Sequence, residues 1–363
     1  MSLYFQLDLN VFIPKKNTAA FFLLVGLNLL VAFAASFVLP KRFYYDAAII
    51  AYDKGNEIGY FGSYPLTILF YKITGLRYLP FTLIALIQFP VLMGILYKIG
   101  IPSTFEKVTI KNVLVYLAFT MIAIFMSMPS KEFVTFLYLS AIVFLFQKKL
   151  FSFQKTLFIS LSLFVFFGAI YRPYFALLPI VAMGMYWVTC IKISNRTFAT
   201  LFYGIALIIF LSLSYGFVQG QFFSEQSREL INNARMGSVD ANSSIVSPVK
   251  ADTWYGEIIG ILYGFFTVNV PLNGLKHIFS PQIVLFVIWQ LFLFYILLVR
   301  LARCIKDKKE YVYELWILLF VFSFFILQGV FEPDLGSAIR HKMGVFPLIY
   351  YALYYDHFRK ALQ

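Results

Sequence analysis

The densest group of ionisable side chains lies in one short stretch, Glu332-Pro-Asp-Leu-Gly-Ser-Ala-Ile-Arg-His-Lys342. Apolar runs of nearly membrane length flank it on both sides. Charge between two such runs is costly unless it lies at the water edge or in a polar cavity. Pro333 and Gly336 disfavour a helix, so the stretch is predicted to be a structured loop at one membrane face.

Four residues of this stretch are candidates for catalysis: Glu332, Asp334, Arg340 and His341. A carboxylate or the imidazole can act as a general base, and the guanidinium group can bind an anionic oxygen. Glu332 and Asp334 could instead hold a divalent metal through oxygen, but two carboxylates are weak evidence and we expect no metal. A structural alternative is that Asp334 caps the following helix and pairs with Arg340.

Two smaller polar groups also interrupt apolar sequence, Ser130-Lys131-Glu132 and Tyr171-Arg172-Pro173-Tyr174. Either Lys131 or Glu132 faces a polar cavity among the helices, or the two form a local ion pair in a tight turn. Arg172 either extends to the membrane interface or binds a phosphate or sugar acid, for which a guanidinium fork is suited. We include all three residues among the candidates for substrate binding.

Three further candidates for substrate binding lie in longer polar segments. Arg228 and Arg235 are seven residues apart in the predicted helix 223–236, so they share a face that suits a polyanionic substrate or is simply solvated. Asp46 follows the first apolar run, among tyrosines. Tyrosines near an interface often form an aromatic belt, and they also stack on sugar rings.

The composition places these residues in a membrane protein. Of 363 residues, 61% are hydrophobic and 13% are charged, which excludes a soluble domain. Walker A, dinucleotide-binding and nucleophile-elbow motifs are absent from the sequence, so we expect no nucleotide cofactor. The net charge of +13 is concentrated in short loops, which is the pattern of membrane topology rather than of nucleic-acid binding.

Ten apolar runs are long enough to suggest an all-α integral membrane fold, a single polytopic domain over residues 1–363. Two longer polar segments, 41–80 and 219–282, each contain a shorter apolar piece, Pro65–Ile73 or Ile258–Val270, predicted as a re-entrant or interfacial helix. The ten predicted spans are 18–39, 79–98, 113–129, 133–147, 156–170, 174–191, 198–218, 282–299, 313–331 and 343–356.

The positive-inside rule orients these spans. With both termini in the cytoplasm, more than half of the 30 Lys and Arg residues fall in short inner loops. The same orientation places residues 332–342, Lys131, Glu132 and Arg172 on the outer face, together with the segments 41–80 and 219–282. The candidate site is therefore predicted to be extracytoplasmic.

The layout resembles the Wzy-type polymerases of bacterial polysaccharide loci. The resemblance comes from the number of spans, the late outer loop with spaced arginines, and the phrases Ser-Lys-Glu, Arg-Pro-Tyr and Glu-Pro-Asp-Leu-Gly-Ser-Ala-Ile-Arg-His. It implies a protein of the bacterial inner membrane whose outer arginines contact a lipid-linked, charged substrate. Here the matching arginines are Arg172, Arg228, Arg235 and Arg340.

The resemblance implies an extracytoplasmic glycosyltransferase that joins repeat units linked to polyprenyl diphosphate into a surface polysaccharide. It also implies membrane lipid and a chain-length regulator protein as partners, and no nucleic acid. An alternative is a GT-C-type enzyme that adds a single sugar, whose catalytic Asp follows the first span as Asp46 does here. A lipid-linked glycan flippase is a third hypothesis, which predicts charges through the membrane centre.

Overall fold

The computed structural model describes residues 15–40, 43–53, 55–59, 61–234, 243–277 and 279–361, and this part of the chain is almost entirely helical. Fourteen α-helices occur in it. In chain order they are α1 (Lys16–Val38), α2 (Tyr45–Tyr52), α3 (Ser63–Ile73), α4 (Phe81–Ile99), α5 (Ile110–Phe125), α6 (Lys131–Lys148), α7 (Phe153–Ile170), α8 (Leu177–Cys190), α9 (Arg196–Gln219), α10 (Leu230–Ala234), α11 (Trp254–Asn269), α12 (Pro281–Lys306), α13 (Val312–Phe331) and α14 (Leu335–Ala361).

The helices confirm the predicted all-α membrane fold. Within the described residues, seven are long and apolar enough to cross a membrane: α1, α4, α7, α8 with the 3-10 turn before it, α9, α12 and α13. The predicted runs 113–129, 133–147 and 343–356 correspond to α5, α6 and α14. The protein is therefore a multi-pass membrane protein.

The centre of the bundle is α13. Every residue from Glu314 to Val330 is buried. A helix that is buried on all sides is expected to carry apolar residues on nearly all of its faces, as this one does. The helices α8, α9, α11, α12 and α14 pack around it. By contrast, α1 leaves large apolar side chains such as Leu23 and Leu30 exposed, as expected for a helix that faces lipid.

The two shorter apolar pieces also form helices. α3 has 11 residues, about 16 Å of helix, which is too short to cross a bilayer. α11 has 16 residues and ends at Asn269, whose side chain donates hydrogen bonds to the carbonyl oxygens of Phe265 and Phe325. Since Phe325 lies inside α13, α11 ends beside the interior of that helix.

One sequence-based expectation needs correction. Residues 332–342 are not a loop throughout, because α14 begins at Leu335 and includes Gly336 in its first turn. The predicted helix 223–236 is confirmed over its described residues 223–234, which are helical throughout and include a π-helical turn, Glu225–Glu229, before α10. Proline and glycine near a helix start disturb few hydrogen bonds, since the first turn lacks intrahelical partners for its N–H groups.

The helices α6 and α14 run side by side in the same direction and give the bundle two distinct ends. At one end, the Nε2 atom of His341 lies 3.2 Å from a carboxylate oxygen of Glu132. At the other end, the side chain of Gln147 contacts the Ile99 carbonyl, and Tyr350 donates to the Gly100 carbonyl at 2.6 Å. We call the first the cluster end and the second the basic end.

Candidate functional site

Seven ionisable side chains that are distant in sequence meet at the cluster end. They are Asp46, Lys131, Glu132, Arg172, Glu332, Arg340 and His341, and we call them the polar cluster. The sequence analysis selected all seven. The structure brings them into contact from α2, the start of α6, the turn after α7, the end of α13 and the start of α14.

Helix termini hold most of these side chains in place. Ser130 caps α6, because its hydroxyl accepts a hydrogen bond from the Phe133 N–H at 3.1 Å. This fixes Lys131 and Glu132 in the first turn. Arg172 has extended backbone immediately before Pro173, which begins a 3-10 turn. The fixed φ of proline thus ends α7 and directs the chain past the cluster.

The more accessible part of the cluster is centred on Asp46. Its carboxylate lies 3.0 Å from the Arg340 guanidinium and 3.4 Å from the Lys131 amine, and Tyr64 donates a hydrogen bond to it at 2.9 Å. The side chains of Asp46, Lys131 and Arg340 are 13%, 12% and 20% exposed. Burial alone would raise the pKa of Asp46, but Arg340 and Lys131 hold it below its ordinary value, so this carboxylate is ionised.

Tyr64 supports this ion pairing in two ways. Burial and the adjacent Asp46 carboxylate raise the pKa of the phenol above its usual value. The hydroxyl therefore stays protonated and donates a hydrogen bond to Asp46. The Lys131 ammonium also lies 3.9 Å from the centre of the tyrosine ring, within cation–π distance. Lys131 is therefore held by α3 as well as by Asp46.

The deeper part of the cluster is centred on Glu132, which is fully buried. Arg172 donates to it at 2.8 Å, and the His341 Nε2 atom lies at 3.2 Å from the same oxygen. The Arg340 Nε atom is also near that oxygen, at 3.8 Å. The local Lys131–Glu132 ion pair considered from sequence is thus wrong, because each residue pairs with a different and distant partner.

Arg172 is buried rather than extended to the interface. Besides Glu132, it donates a hydrogen bond to the Tyr174 hydroxyl at 3.2 Å. Burial opposes the charge, but Tyr174 and Glu132 raise the pKa of Arg172 above its ordinary value. Since its guanidinium group is already engaged with protein atoms, Arg172 is placed to hold Glu132 rather than to meet a substrate first.

His341 lies between two carboxylates. Its Nδ1 atom is 2.6 Å from Glu332 and its Nε2 atom is 3.2 Å from Glu132. Because a carboxylate accepts hydrogen bonds but donates none, both ring nitrogens carry hydrogen in this arrangement. His341 is then an imidazolium cation, and it cannot act as the general base while both contacts hold.

Glu332 is enclosed by donors. In addition to His341, Gln328 donates to one of its oxygens and Ser337 to the other, each at 2.9 Å. Burial opposes ionisation, but His341 and these hydrogen bonds hold the pKa of Glu332 below its usual value. Beside it is a cavity of about 30 Å³ lined by Tyr174, Gln328, Glu332 and His341, with room for one water molecule.

Asp334 has a different role from the other three catalytic candidates. Its side chain accepts a hydrogen bond from the Ser337 N–H at 2.8 Å and so caps α14, as the structural alternative predicted. Arg340, however, pairs with Asp46 rather than with Asp334. The carboxylates of Glu332 and Asp334 accept hydrogen bonds from different groups. Among the described residues no group of three side chains of the metal-binding types comes together.

The backbone on both sides of Asp334 is hydrogen-bonded to residues 243–245. The Ile245 N–H donates to the Pro333 carbonyl at 2.7 Å, and the Leu335 N–H donates to the Ser243 carbonyl at 3.2 Å. Residues 243–245 of the long polar segment therefore pair with residues 333–335. This segment lies directly against the turn that carries Glu332.

Of the two arginines in the long polar segment, the structure describes Arg228, and it does not bring Arg228 into the cluster. Arg228 is fully buried, so it is not on a solvated face, and its guanidinium group donates to the Gly329 carbonyl at 2.9 Å. Gly260 and Gly264 leave the space that it occupies, since a Cβ at either would lie within 3 Å of it. Arg235 lies outside the described residues.

Three residues of the site were missed in the sequence: Tyr64, Gln328 and Ser337. Gln328 precedes Glu332 by one helical turn, so the four-residue spacing was a usable signal. Ser337 follows Asp334 by three residues, the spacing of a helix cap. Nothing near Tyr64 in the sequence indicates that it would meet Asp46.

Comparison of the chain with protein-family models, with curated proteins and with solved structures finds no match. The functional argument therefore rests on the chemistry of the cluster. An ionised carboxylate flanked by two cations can accept a proton while the cations bind an anionic group.

Proposed function

We propose that this protein is a membrane glycosyltransferase that uses a sugar donor linked to a polyprenyl phosphate or diphosphate. The observation that supports the proposal most is the position of Asp46, the most exposed carboxylate of the cluster at 13%, held between Arg340 and Lys131. In a multi-pass membrane protein, such a site suits a substrate with a lipid tail and a charged head.

The proposed reaction assigns one task to each accessible residue. An acceptor hydroxyl attacks the anomeric carbon of the donor, and the bond between that carbon and the phosphate oxygen breaks. Arg340 and Lys131 stabilise the negative charge on the departing phosphate. Asp46 accepts the proton of the hydroxyl. The donor is already activated, so no ATP is required.

The buried residues would then act as support. Arg172 and His341 both contact Glu132, which lies 3.8 Å from the Nε atom of Arg340. His341 in turn is fixed by Glu332. These contacts hold Arg340 in a defined position, which lowers the reorganisation needed when the leaving group becomes charged. Arg172 and His341 are in this view positioning residues.

Polymerisation of lipid-linked repeat units is the first form of this proposal. It follows from the resemblance to Wzy-type polymerases, and it implies an extracytoplasmic site in a bacterial inner membrane with both termini inside. A polyprenyl-diphosphate-linked glycan would be the substrate, and a chain-length regulator would be the partner protein. The pairing of residues 243–245 with the turn after Glu332 gives such a substrate a large polar segment directly beside the site.

Transfer of a single sugar by a GT-C-type mechanism is the second form. The observation that favours it is that Asp46 is the accessible carboxylate of the cluster and lies on α2, directly after α1. The two short helices α2 and α3 shape this side of the site, since Tyr64 on α3 binds Asp46. The two forms differ in product, so one assay separates them.

The test uses purified protein in lipid vesicles, with a polyprenyl-diphosphate-linked oligosaccharide and a polyprenyl-phosphate-linked monosaccharide, and sizes the products on a gel. We expect Asp46→Asn to lower the rate by about 100-fold or more, because a general base contributes 10²–10⁴-fold. Arg340→Ala should lose about 100-fold through weaker stabilisation of the leaving group. Asp53→Asn is the matched control, since Asp53 accepts a hydrogen bond from the Gly55 N–H in the same segment.

A ladder of products in the unmodified protein indicates a polymerase, and a single added sugar indicates the second form. Full activity of both Asp46→Asn and Arg340→Ala, at equal protein level and equal thermal stability, would overturn the proposal. So would an equal loss in Asp53→Asn, because the effect would then come from the segment and not from the cluster.

A further inference from the structure

A cavity of about 560 Å³ lies at the basic end, opposite the polar cluster. It is bounded by the start of α1, the loop between α4 and α5, and the ends of α6 and α14. The residues that matter for its chemistry are Lys15, Lys16, Asn17, Ser103, Glu106 and His357. Its volume falls in the range of small-molecule sites in proteins.

One side of this cavity suits a phosphate group. Lys15 and Lys16 supply two ammonium groups, and both lie at the N-terminus of the 23-residue α1. The first turn of a helix presents N–H groups without intrahelical partners, and the helix dipole makes this end positive. Two lysines and a helix start thus give positive charge and hydrogen-bond donors in one place.

The same cavity also contains an acidic group. Glu106 lines it, and one carboxylate oxygen of Glu106 is buried with no hydrogen-bond partner. A buried oxygen without a partner is unfavourable unless a ligand or solvent donor reaches it. The Glu106 carboxylate would attract an ammonium group in the cavity, whereas it would repel a second anion. The cavity is therefore lined by groups of both charge signs.

Hydrogen bonds between the elements that line the cavity hold its wall in place. Asn17 donates to the Pro102 carbonyl at 3.1 Å, which ties α1 to the loop after α4. Ser103 is hydrogen-bonded to the His357 Nδ1 atom at 2.9 Å, which ties the same loop to α14. A ligand would enter a formed site rather than have to assemble it.

The neighbouring surface is apolar. The large side chains Phe22, Leu23 and Leu27 of α1 are each more than half exposed, as on a helix that faces lipid tails. They begin less than two turns from Lys16. A molecule whose polar head occupied the cavity could therefore place an acyl chain along α1.

We propose that the cavity at the basic end binds the headgroup of an amine-bearing phospholipid. The phosphate lies at Lys15, Lys16 and the start of α1, and the amine lies at Glu106. The proposal is independent of the glycosyltransferase proposal, since it uses none of the residues of the polar cluster.

The test measures lipid binding to the full chain by native mass spectrometry in detergent, with three lipids that share the same acyl chains. Phosphatidylethanolamine carries a primary amine, phosphatidylcholine has its amine blocked by methyl groups, and phosphatidylglycerol has none. We expect phosphatidylethanolamine to bind about 10-fold more tightly than the other two. Lys15→Ala with Lys16→Ala should weaken binding of all three lipids about 10-fold.

Glu106→Gln should abolish the preference for phosphatidylethanolamine while leaving binding of phosphatidylglycerol intact. The matched control is Lys306→Ala with Lys309→Ala, which removes two exposed lysines that do not line the cavity and should change nothing. Thermal melting of each variant shows that it is folded. Inorganic phosphate and free phosphoethanolamine serve as competitors, to separate a lipid site from a site for a soluble ion.

Three outcomes would overturn the proposal. One is equal binding of the three lipids. Another is displacement of phosphatidylethanolamine by inorganic phosphate as effectively as by phosphoethanolamine, which would show a simple anion site. The third is lipid binding only in a variant that lacks residues 2–13, because the cavity would then be closed to lipid in the full chain.

Discussion

Glu132 is the common partner of the cationic side chains in the buried part of the cluster. It accepts from Arg172 and contacts both His341 and Arg340, yet it is fully buried. Removing its charge leaves several cations near one another in a low-dielectric environment. Breaking a buried ion pair from one side is much more damaging than breaking an exposed one, because the remaining charge is left without compensation.

We therefore expect Glu132→Gln to lower the free energy of unfolding by about 3 kcal/mol or more. The control is Glu310→Gln, which breaks the exposed pair with Arg359 at the basic end and should cost less than about 1 kcal/mol. Reversible unfolding in mixed detergent micelles measures both. Equal effects of the two substitutions would show that Glu132 is solvated and that the cluster is not a buried network.

At the residue scale, sequence reasoning could select the charged groups but could not pair them. Lys131, Glu132, Arg172 and Arg340 were identifiable because charge is rare between apolar runs. Their partners could not be read from spacing, since Asp46 and Arg340 come from nearly opposite ends of the chain. Arg228 shows the same difficulty, because its burial depends on space that glycines of another helix leave open.

At the scale of helices, α11 and α13 approach each other closely at glycines, where a side chain would not fit. A Cβ atom on Gly264 would lie 1.9 Å from the Gly329 carbonyl oxygen, and one on Gly329 would lie 2.6 Å from the Phe265 Cα. The backbones of the two helices thus meet directly. Small residues at such contacts are typical of helices that pack inside membranes.

Gly264→Ala should accordingly separate α11 from α13 and lower the free energy of unfolding by about 1–3 kcal/mol, the range for overpacking. It should also disturb Arg228, whose guanidinium group would lie 2.3 Å from the new Cβ atom. Gly94→Ala in α4 is the control, because nothing lies within 4 Å of a Cβ there. If the alanine at 264 were as well tolerated as the alanine at 94, the close packing of α11 on α13 would be wrong.

Most apolar helices could be located from the sequence, but the sequence did not always show whether a helix crosses the membrane. The length of the apolar runs was sufficient to find α1, α4 and α13, because hydrocarbon thickness sets the length. It was not sufficient for α11, whose 16 residues fit either a short span or a re-entrant helix. Its end beside Phe325 is a result of packing that the run length does not predict.

At the scale of the whole molecule, the prediction to test is which end of the bundle faces the cell exterior. The positive-inside rule predicts that the cluster end is outside. Cysteine labelling can test this with Val246→Cys at the cluster end and Val108→Cys at the basic end, both of which are strongly exposed. Exposed Cys190 is first replaced by Ser, whereas Cys304 is buried and can remain.

We expect an impermeant thiol reagent added to intact cells to label position 246 and not position 108. Labelling of both after the cells are opened shows that each position is reachable. Labelling of 108 alone from outside would reverse the orientation, and with it the extracytoplasmic location proposed for the glycosyl transfer.

The distribution of the cluster along the chain has a consequence for biogenesis. Asp46, Lys131, Glu132 and Arg172 all precede the last helix, whereas Arg340 and His341 belong to it. Until α14 is synthesised, Asp46 lacks its arginine partner and Glu132 lacks the imidazolium group. The polar cluster can thus close only after the ribosome has translated nearly the whole message. Until then its half-assembled charges must remain hydrated or be shielded by the insertion machinery.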